Sequence, residues 1–256
     1  MAKEIKLIAV DVTDSTNHYL RDYRGEEGTL FTVVTAEYQT SGRGQGANRW
    51  ESEWGKNLLF SLKYHPRQIE SGRQFVLSMA VSLAIVGALE RWQVEASVKW
   101  PNDIYVGDCK LCGILIENAL MGNAIRESIV GIGLNVNQTR FLSDAPNPIS
   151  LKETVGEEVD GKALLDAILQ QLSVELAQAE CSAESIHSRY LAKLYRRQGV
   201  CPFEDKDGRF DAELVTVAPD GRLWLKDSDG RLRSYGFKEV SYLRLTHGGE
   251  AGRKKV

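Results

Sequence analysis

The sequence has few cysteines, no long apolar run and almost no net charge, and each shortage excludes a class of protein. Four cysteines at irregular spacing in 256 residues are too few for a disulfide scaffold. The most apolar stretch, Phe75–Leu89, is interrupted by Ser78, Ser82 and Gly87 and is shorter than the ~20 residues that span a bilayer. With 32 basic and 35 acidic residues, the net charge of −3 gives no global attraction to nucleic acid. We therefore expect a buried core helix and no membrane partner.

The N-terminal sequence and the cysteines both favour a cytoplasmic protein with reduced thiols. MAKEIKLIAVDVT has neither the apolar core nor the small-residue cleavage site of a signal peptide. Cys109 and Cys112 have the CxxC spacing of half a zinc site or a redox pair. They lie in a strand-like run, where side chains three apart point to opposite faces, and no second pair follows. Their position in a strand and the lack of a second pair therefore argue against a metal or redox site.

Periodicity predicts a large α+β domain. An apolar content of 43% is enough for a buried core. One helix is predicted over residues 72–92, because apolar residues recur there at intervals of three and four. A second helical region is predicted over 162–197, after a loop marked by Pro146, Pro148 and Gly156. Short β-type runs alternate with loops elsewhere and are predicted at 5–10, 30–36, 58–64, 97–100, 111–117 and 125–134.

From Gly199 the pattern changes to short β-type runs separated by Asp-Gly dipeptides at 207, 220 and 229. This spacing predicts a meander or small barrel of about five strands, with Phe203, Trp224 and Phe237 packing it against the main domain. The predicted domains are 1–198 and 199–246, followed by a frayed tail at 247–256.

The segment 39–50, QTSGRGQGANRW, is the most unusual part of the chain. Its glycines permit close approach of the backbone to an anion, Arg43 and Arg49 supply forked donors, and no acidic residue opposes them. It lacks the GK[ST] ending of a Walker A loop. A relaxed dinucleotide pattern is present, but it leads into a strand and not into a helix. The alternative is a flexible surface loop, which would not explain the missing acidic residues.

Three later segments are each ambiguous when taken singly. KWPND at 99–103 ends a strand with a stiff turn, and would be either a functional loop or an Asn-Asp turn. Lys110 begins the strand KLCGILIE as either an anion ligand or a charge that protects an edge strand. GIGLNVN at 131–137 is a strand interrupted by glycine, which often marks the close approach of a ligand.

Together, these motifs resemble the ordered signature of biotin protein ligases. The set comprises DSTN at 14–17, AEYQTSGRGQGANRW, KWPNDIYV, KLCGILIE and GIGLNVN, and the resemblance covers about residues 5–245. It implies the biotin–lipoate ligase fold, which is related to class II synthetases and has a mixed or antiparallel sheet, with a C-terminal SH3-like barrel. It also implies ATP-dependent biotinylation of a lysine on a biotin carboxyl carrier protein or domain, through biotinyl-5′-adenylate. Pyrophosphate and then AMP would be released, with Mg²⁺ carried on the ATP phosphates and no metal site made by protein alone.

The resemblance also assigns residues. Biotin would be bound by Ser15, Thr16, Asn17, Gln39, Gly42, Arg43, Gly44, Lys110, Gly113 and Leu115. ATP or the adenylate would be bound by Arg43, Gln45, Asn48, Trp50, Lys110 and Asn135. Lys110 and Arg43 would stabilise charge during adenylation, and Asp103 would orient or deprotonate the acceptor lysine. Arg233 and Lys238 are the basic residues of the barrel to examine near the phosphates, and the alternative for each is a solvated surface charge.

Two departures modify these expectations. Many relatives carry further arginines where this chain has Gln45 and Asn48, so we expect weaker retention of the adenylate. The signature begins near residue 5, so we expect a monofunctional ligase without an N-terminal helix-turn-helix domain or specific DNA binding. A monomer or weak homodimer is expected. The alternatives are a lipoate protein ligase and a non-enzymatic binding module built on the barrel.

Overall fold

The computed structural model describes residues 5–24, 29–46, 48–142 and 147–243. Within them, a seven-stranded mixed sheet with helices is followed by a five-stranded antiparallel sheet, which confirms the predicted fold class. The predicted tail at 247–256, Pro146 and Ala47 lie outside the described residues.

The large sheet is formed by the first seven strands in the order β1-β2-β3-β7-β6-β5-β4. β1 and β2 are parallel, and every other neighbouring pair is antiparallel. The strands are β1 Ile5–Thr13, β2 Phe31–Gln39, β3 Asn57–Tyr64, β4 Ser97–Lys99, β5 Asp103–Val106, β6 Cys109–Met121 and β7 Ala124–Asn135. All six predicted β-type runs are found, and β5 is an addition.

The two faces of this sheet carry different residues because side chains alternate along each strand. On one face, Phe60 and Leu62 of β3 and Ile132 of β7 belong to the main apolar core. The opposite face carries a smaller apolar cluster of Leu20, Val34 and Ile129. Helix α1, Thr16–Asp22, packs on that second face and leaves the remainder of it open to form a cleft.

Helix α2, Phe75–Leu89, fills the main core between the sheet and two later helices. Residues 75–92 are long and apolar enough to cross a membrane by length and composition, but 67% of this stretch is buried inside the protein. The predicted helix is therefore confirmed as a core helix. It is shorter than predicted, because 3₁₀ turns at Ser71–Arg73 and Glu90–Trp92 form its flanks.

The second helical region is two helices, and not one continuous region up to residue 197 as predicted. Helix α4, Gly161–Cys181, ends where Ser182 takes an extended conformation and accepts a hydrogen bond from the Ser185 backbone as the N-cap of α5, Ala183–Ala192. A short helix, α3, Leu151–Val155, precedes them and begins with a capping box made by Ser150.

The C-terminal sheet has the order β11-β10-β9-β8-β12. Its strands are β8 Val200–Asp205, β9 Gly208–Val217, β10 Leu223–Asp227, β11 Leu232–Tyr235 and β12 Ser241–Tyr242. Each predicted Asp-Gly dipeptide lies at a turn between two strands, and its glycine has a positive φ. This agrees with the prediction of a small meander.

The C-terminal sheet docks on the main domain through specific contacts. The indole Nε1 of Trp100 donates to the carbonyl of Gly221 at 2.8 Å, and a side chain at Gly221 would meet the ring of Phe75. Phe203 is buried as predicted. Trp224 is half-buried, and Phe237 is 38% exposed and lines a cleft shared by the two sheets, so their packing against the main domain stays a prediction.

Candidate active site

A cleft of about 370 Å³ lies on the face of the large sheet opposite α2. Three glycines on this face, Gly113, Gly131 and Gly133, form its floor. Gly113 is paired with Gly133, and Gly131 is paired with Leu115 on the neighbouring strand. The glycine-interrupted strand therefore marks a close approach, as its sequence predicts, because side chains pack directly on the backbone there.

One end of the floor is covered by Asn17 of α1. A Cβ atom at Gly131 would lie 2.1 Å from Asn17 Oδ1, so the amide occupies the space of a side chain. Ser61 Oγ donates to Asn17 Oδ1 at 2.6 Å and lies 2.7 Å from Thr16 Oγ1. Gln39 Oε1 accepts from the Thr16 backbone at 2.8 Å and from its hydroxyl at 3.1 Å. These four side chains form a hydrogen-bonded cluster, which we call the polar end.

Asp14 fixes the start of α1 and thereby the polar end. Its carboxylate accepts from the Ser15 backbone N–H at 2.6 Å and pairs with His18. The hydrogen bond from His18 lowers the pKa of Asp14 below its usual value. The DSTN motif thus supplies an anionic side chain at the beginning of a helix that carries Thr16 and Asn17 into the cleft.

Glu117 connects the polar end to the glycine-rich loop. Its carboxylate accepts from Asn17 Nδ2 at 2.9 Å, and lies 2.7 Å from Arg21 and 3.3 Å from Arg43. Arg43 thus already has a carboxylate partner inside the protein. An anionic ligand at Arg43 would have to compete with Glu117 or share the guanidinium with it.

The loop at 42–50 folds back on itself and places Trp50 over the other end of the floor. Trp50 N donates to the Gly42 carbonyl at 3.0 Å, and Gly44 N donates to the Asn48 carbonyl at 2.8 Å. A Cβ at Gly133 would lie 2.5 Å from the Trp50 indole, and one at Gly113 would lie 2.9 Å from it. The indole therefore lies flat against two glycines that no larger residue could replace without moving it.

Lys110 and Asp103 form an ion pair at the wall of the cleft. Lys110 Nζ lies 2.6 Å from Asp103 Oδ1 and 5.7 Å from the centre of the Trp50 ring. Asn102 holds the preceding turn against β6, since its amide donates to the Ile114 carbonyl at 2.6 Å. The KWPND and KLCG motifs thus meet, although six residues of chain separate Asp103 from Lys110.

The cleft brings together most of the residues that the sequence predicts. The predicted residues that line it are Ser15, Thr16, Asn17, Gln39, Arg43, Gly44, Gln45, Asn48, Trp50, Asp103, Lys110, Gly113 and Leu115. Gly42 and Asn135 do not line it. Gly42 supports the loop beneath Trp50, and Asn135 donates its amide to the Ile149 carbonyl at 3.1 Å. Ile149 in turn donates its backbone N–H to the Lys110 carbonyl, so Asn135 contacts the cleft only through this segment.

Several residues in or behind the cleft were missed by sequence reasoning. Ser61 is buried behind the cleft lining and belongs to an apolar strand, where a single serine is the only signal. Lys99 stands in the KWPND motif but received no function. The C-terminal sheet contributes Tyr242, which was also missed, and Lys238, which the sequence analysis had named. Arg233 does not line the cleft and is paired with Asp205 and Asp227 in the C-terminal sheet.

The chain is similar to known proteins over most of its length. Residues 9–135 match the Biotin/lipoate A/B protein ligase family. The chain is 34% identical over 163 residues to the bifunctional ligase/repressor BirA of Bacillus subtilis, covering 61% of this chain and 48% of that protein. It is 29% identical over 205 residues to BirA of Escherichia coli, covering 78% of this chain and 57% of that protein. It thus spans about half the length of the curated relatives it matches.

A solved structure matches almost end to end. The biotin protein ligase of Aquifex aeolicus, in a complex with biotin and ATP, superposes with a TM-score of 0.77 and 27% sequence identity. The match covers 94% of this chain and 99% of that chain. The fold of the chain, the order of its motifs and the residues of its cleft all agree with this similarity. The chain belongs to the biotin protein ligases, within the Biotin/lipoate A/B protein ligase family.

Proposed function

We propose that the protein biotinylates a lysine of a biotin carboxyl carrier protein or domain, in two steps through biotinyl-5′-adenylate. The observation that carries the proposal is the arrangement of one cleft. A buried, hydrogen-bonded polar end lies at one side of it, and Lys110, Asp103 and the glycine-rich loop lie at the other. A ligand with an uncharged polar head and an acidic tail fits this arrangement.

The polar end is suited to the ureido ring of biotin. Thr16 carries a hydroxyl group that can donate or accept by rotation, and Asn17 and Gln39 supply amide groups. The buried Ser61 hydroxyl holds Thr16 and Asn17 in place. A lipoyl group has a dithiolane ring in place of the ureido group and would cover these polar groups without bonding to them. A site that is built to hydrogen-bond a polar ligand group discriminates strongly against an analogue that lacks the group. The polar end therefore favours biotin over lipoate.

Adenylation brings the biotin carboxylate to the α-phosphate of ATP, so two anionic groups must approach one another. Lys110 and Arg43 supply positive charge at this point, and the backbone N–H groups of the loop supply further donors. Both cations already have carboxylate partners in the unliganded protein. We propose that the ligand displaces these partners, so that Lys110 leaves Asp103 and Arg43 leaves Glu117.

Mg²⁺ is proposed to enter with ATP and not on a site made by the protein. Among the described residues, no group of three or more His, Cys, Asp or Glu side chains is placed to hold a metal ion. The ion would neutralise charge on the ATP phosphates, with the cleft contributing its lysines and arginines. This remains a proposal about the substrate complex.

The second step transfers biotin to the acceptor amine. A free lysine has a pKa of about 10.4 and must lose a proton before it attacks the adenylate. Asp103 is released from its ion pair when Lys110 binds the phosphate, and would then accept the amine hydrogen. We propose that this exchange of partners couples the two steps. The cytoplasmic location and the monomeric or weakly dimeric state remain predictions.

The proposal is tested by isotopic exchange between pyrophosphate and ATP. Exchange should depend on biotin and not on lipoate, and a carrier domain should acquire one biotin at a single lysine. Exchange that depends on lipoate, or on neither acid, would reject the proposed substrate.

A further inference from the structure

Lys99, the last residue of β4, is a buried lysine in the wall of the cleft that no role above explains. Its side chain is 8% exposed. Its Nζ donates to Tyr105 Oη at 3.1 Å and lies over the rings of Tyr105 at 4.8 Å and Tyr242 at 5.4 Å. Two tyrosine faces from the two different sheets thus hold the ammonium group.

The surroundings of Lys99 lack a carboxylate partner. Across the described part of the chain, no acidic oxygen lies within 4 Å of Lys99 Nζ. The other buried lysine, Lys63, shows the usual arrangement, with Glu127 at 3.3 Å and the Tyr23 carbonyl at 2.8 Å. Burial of a cation without an anion is costly. The cleft would be stabilised if a ligand supplied the missing negative charge.

The charges around Lys99 act in both directions. Burial is the main cause that lowers its pKa, to about 8. Lys110 and Arg196 lower it further, whereas Asp103 and Asp108 raise it. The remaining titratable groups that face it are the tyrosines at 105, 195 and 242, and burial raises the pKa of all three. Lys99 is thus the group in this cluster whose charged form a bound anion would favour.

The sheet order places Lys99 on the side where a leaving group must depart. The polar end lies over β3 and β7, Lys110 lies on β6, and Lys99 lies on β4, two strands further along. In phosphoryl transfer the attacking and leaving oxygens are roughly in line, so they lie on opposite sides of the phosphorus. If the biotin carboxylate approaches from the polar end and meets the α-phosphate near Lys110, pyrophosphate leaves toward Lys99.

We propose that Lys99 binds the β- and γ-phosphates of ATP and holds the pyrophosphate as it leaves. This inference rests on the proposed function, and adds a phosphate-binding residue to that same cleft. Lys238 and Tyr242 line the cleft from the C-terminal sheet. The proposal thereby gives that sheet a role, because Tyr242 holds the Lys99 ammonium group in place.

The first test separates the two half-reactions with Lys99→Met, which keeps an apolar stem and removes the charge. Loss of a charge-assisted hydrogen bond should raise the Kd for ATP and slow pyrophosphate exchange by about 10- to 100-fold. Transfer from preformed biotinyl-5′-adenylate to the carrier should remain within about 2-fold of wild type, because no β- or γ-phosphate is present. Equal losses in both half-reactions, or in neither, would overturn the inference.

Lys63→Met is the matched control, since Lys63 is equally buried and does not line the cleft. It should lower the Tm without a selective loss of ATP affinity. If Lys63→Met weakens ATP binding as much as Lys99→Met does, general destabilisation explains the effect and the inference is rejected.

The second test measures protons by calorimetry at pH 8.5, in two buffers with different heats of ionisation. Wild type should take up a proton at Lys99 when ATP or pyrophosphate binds. Lys99→Arg should still bind ATP but without this uptake, because arginine is charged at every relevant pH. This variant keeps the inference testable if Lys99→Met does not fold. Proton uptake that is unchanged in Lys99→Arg would contradict it.

Failure of the proposed function would look different. If wild type shows no biotin-dependent exchange, yet ATP binding and proton uptake depend on Lys99, the reaction is wrong and the phosphate site stands. If exchange depends on biotin while ATP affinity and proton uptake are the same without the Lys99 charge, the proposed reaction stands and the phosphate site is rejected.

Discussion

The two ends of the cleft differ in how completely their polar groups are paired. At the polar end, Thr16, Asn17, Ser61 and Gln39 bond to one another and to the backbone. At the other end, the buried Gln45 Oε1 and Trp50 Nε1 have no hydrogen-bond partner within the described residues, and Lys99 has no carboxylate. The polar end is largely hydrogen-bonded within the protein, whereas the other end keeps buried polar atoms without a partner.

This difference indicates how affinity is divided between the two substrates. A paired, buried site is preorganised, so biotin binding needs little rearrangement of the protein. Unpaired buried groups carry a desolvation cost that a ligand can remove. We call the end that holds Gln45, Trp50, Lys99 and Lys110 the nucleotide end. We expect it to change on binding, and we expect the polar end to stay as it is. The predictions that follow test this difference, from the largest expected effect to the smallest.

Replacing Lys110 by alanine should break the nucleotide end alone. The ammonium group faces Asp103 and the cleft, and its loss removes charge where the carboxylate meets the phosphate. Biotin-dependent pyrophosphate exchange should fall by about 10³-fold, in the range seen when one charge-stabilising donor is removed. The Tm should change little, since the ammonium group faces the cleft and not the apolar core.

Lys193→Ala serves as the control for Lys110→Ala, because Lys193 is an exposed lysine with a single ion pair to Glu90. It should leave exchange unchanged. An exchange rate in Lys110→Ala close to that of wild type would remove Lys110 from the chemistry.

Two glycines on one strand allow the ends to be disturbed separately. Alanine at Gly131 would collide with the amide of Asn17, which is held by Ser61 and Glu117 and has no room to move. Gly131→Ala should therefore raise the Kd for biotin by roughly 10- to 100-fold, as expected for a displaced buried hydrogen-bonding group. Alanine at Gly133 would meet Trp50 and should impair mainly the use of ATP.

Calorimetric titration measures the Kd of biotin and of ATP for Gly131→Ala and for Gly133→Ala. Gly87→Ala in α2 is a suitable control, because its nearest contact would be an ordinary 3.6 Å to Gln171. Identical losses for both ligands in both variants would show that the two ends are not independent.

The motifs could be assigned from the sequence because chemistry and backbone freedom are local properties. The strands and Asp-Gly turns were predictable for the same reason. Helix α1 was not predicted, since seven residues without an acidic first turn give little helical signal. The orientation of Asn135 depends on a segment 14 residues away, with which it forms its hydrogen bond. Such contacts across the fold leave no periodic trace in a single sequence.

Variants of Lys238 and Arg233 test which basic residue of the C-terminal sheet contributes to ATP binding. Lys238 lines the cleft, and its Nζ would lie 2.9 Å from a Cβ at Gly46. Lys238→Ala should raise the Kd for ATP by about 10-fold, the value of one charged contact. The hydrogen bond to Asp227 raises the pKa of Arg233, so Arg233→Ala should instead destabilise the sheet.

Thermal unfolding and ATP titration of these two variants separate the roles. Arg233→Ala should lower the Tm while its ATP affinity, measured below the unfolding transition, stays near that of wild type. The assignment of Lys238 fails if its variant binds ATP as tightly as wild type.

Limited trypsinolysis tests whether the loop at 42–50 responds to the nucleotide end. Arg43 and Arg49 are the cleavage sites, and Arg43 is 44% exposed. Biotin with ATP should slow cleavage several-fold because the adenylate would order the loop. Biotin alone should give little protection, since the polar end is already formed. Equal protection by biotin alone, or none by either, would contradict the difference between the two ends.

The smallest expected effect concerns how long the adenylate stays bound. Gln45 brings no charge into the cleft, and Arg43 is shared with Glu117, so the loop holds the intermediate with few cations of its own. We expect measurable escape of biotinyl-5′-adenylate, seen as biotin on bystander proteins at high enzyme concentration. Gln45→Arg should reduce this labelling by about 3- to 10-fold, since one further charged contact to phosphate contributes about that much. Glu117→Gln should act in the same direction by releasing Arg43. Asn48→Gln is the control, because it changes the length of a cleft residue without adding charge. Labelling confined to the carrier lysine in the wild-type protein would show that the backbone of the loop retains the adenylate without these charges.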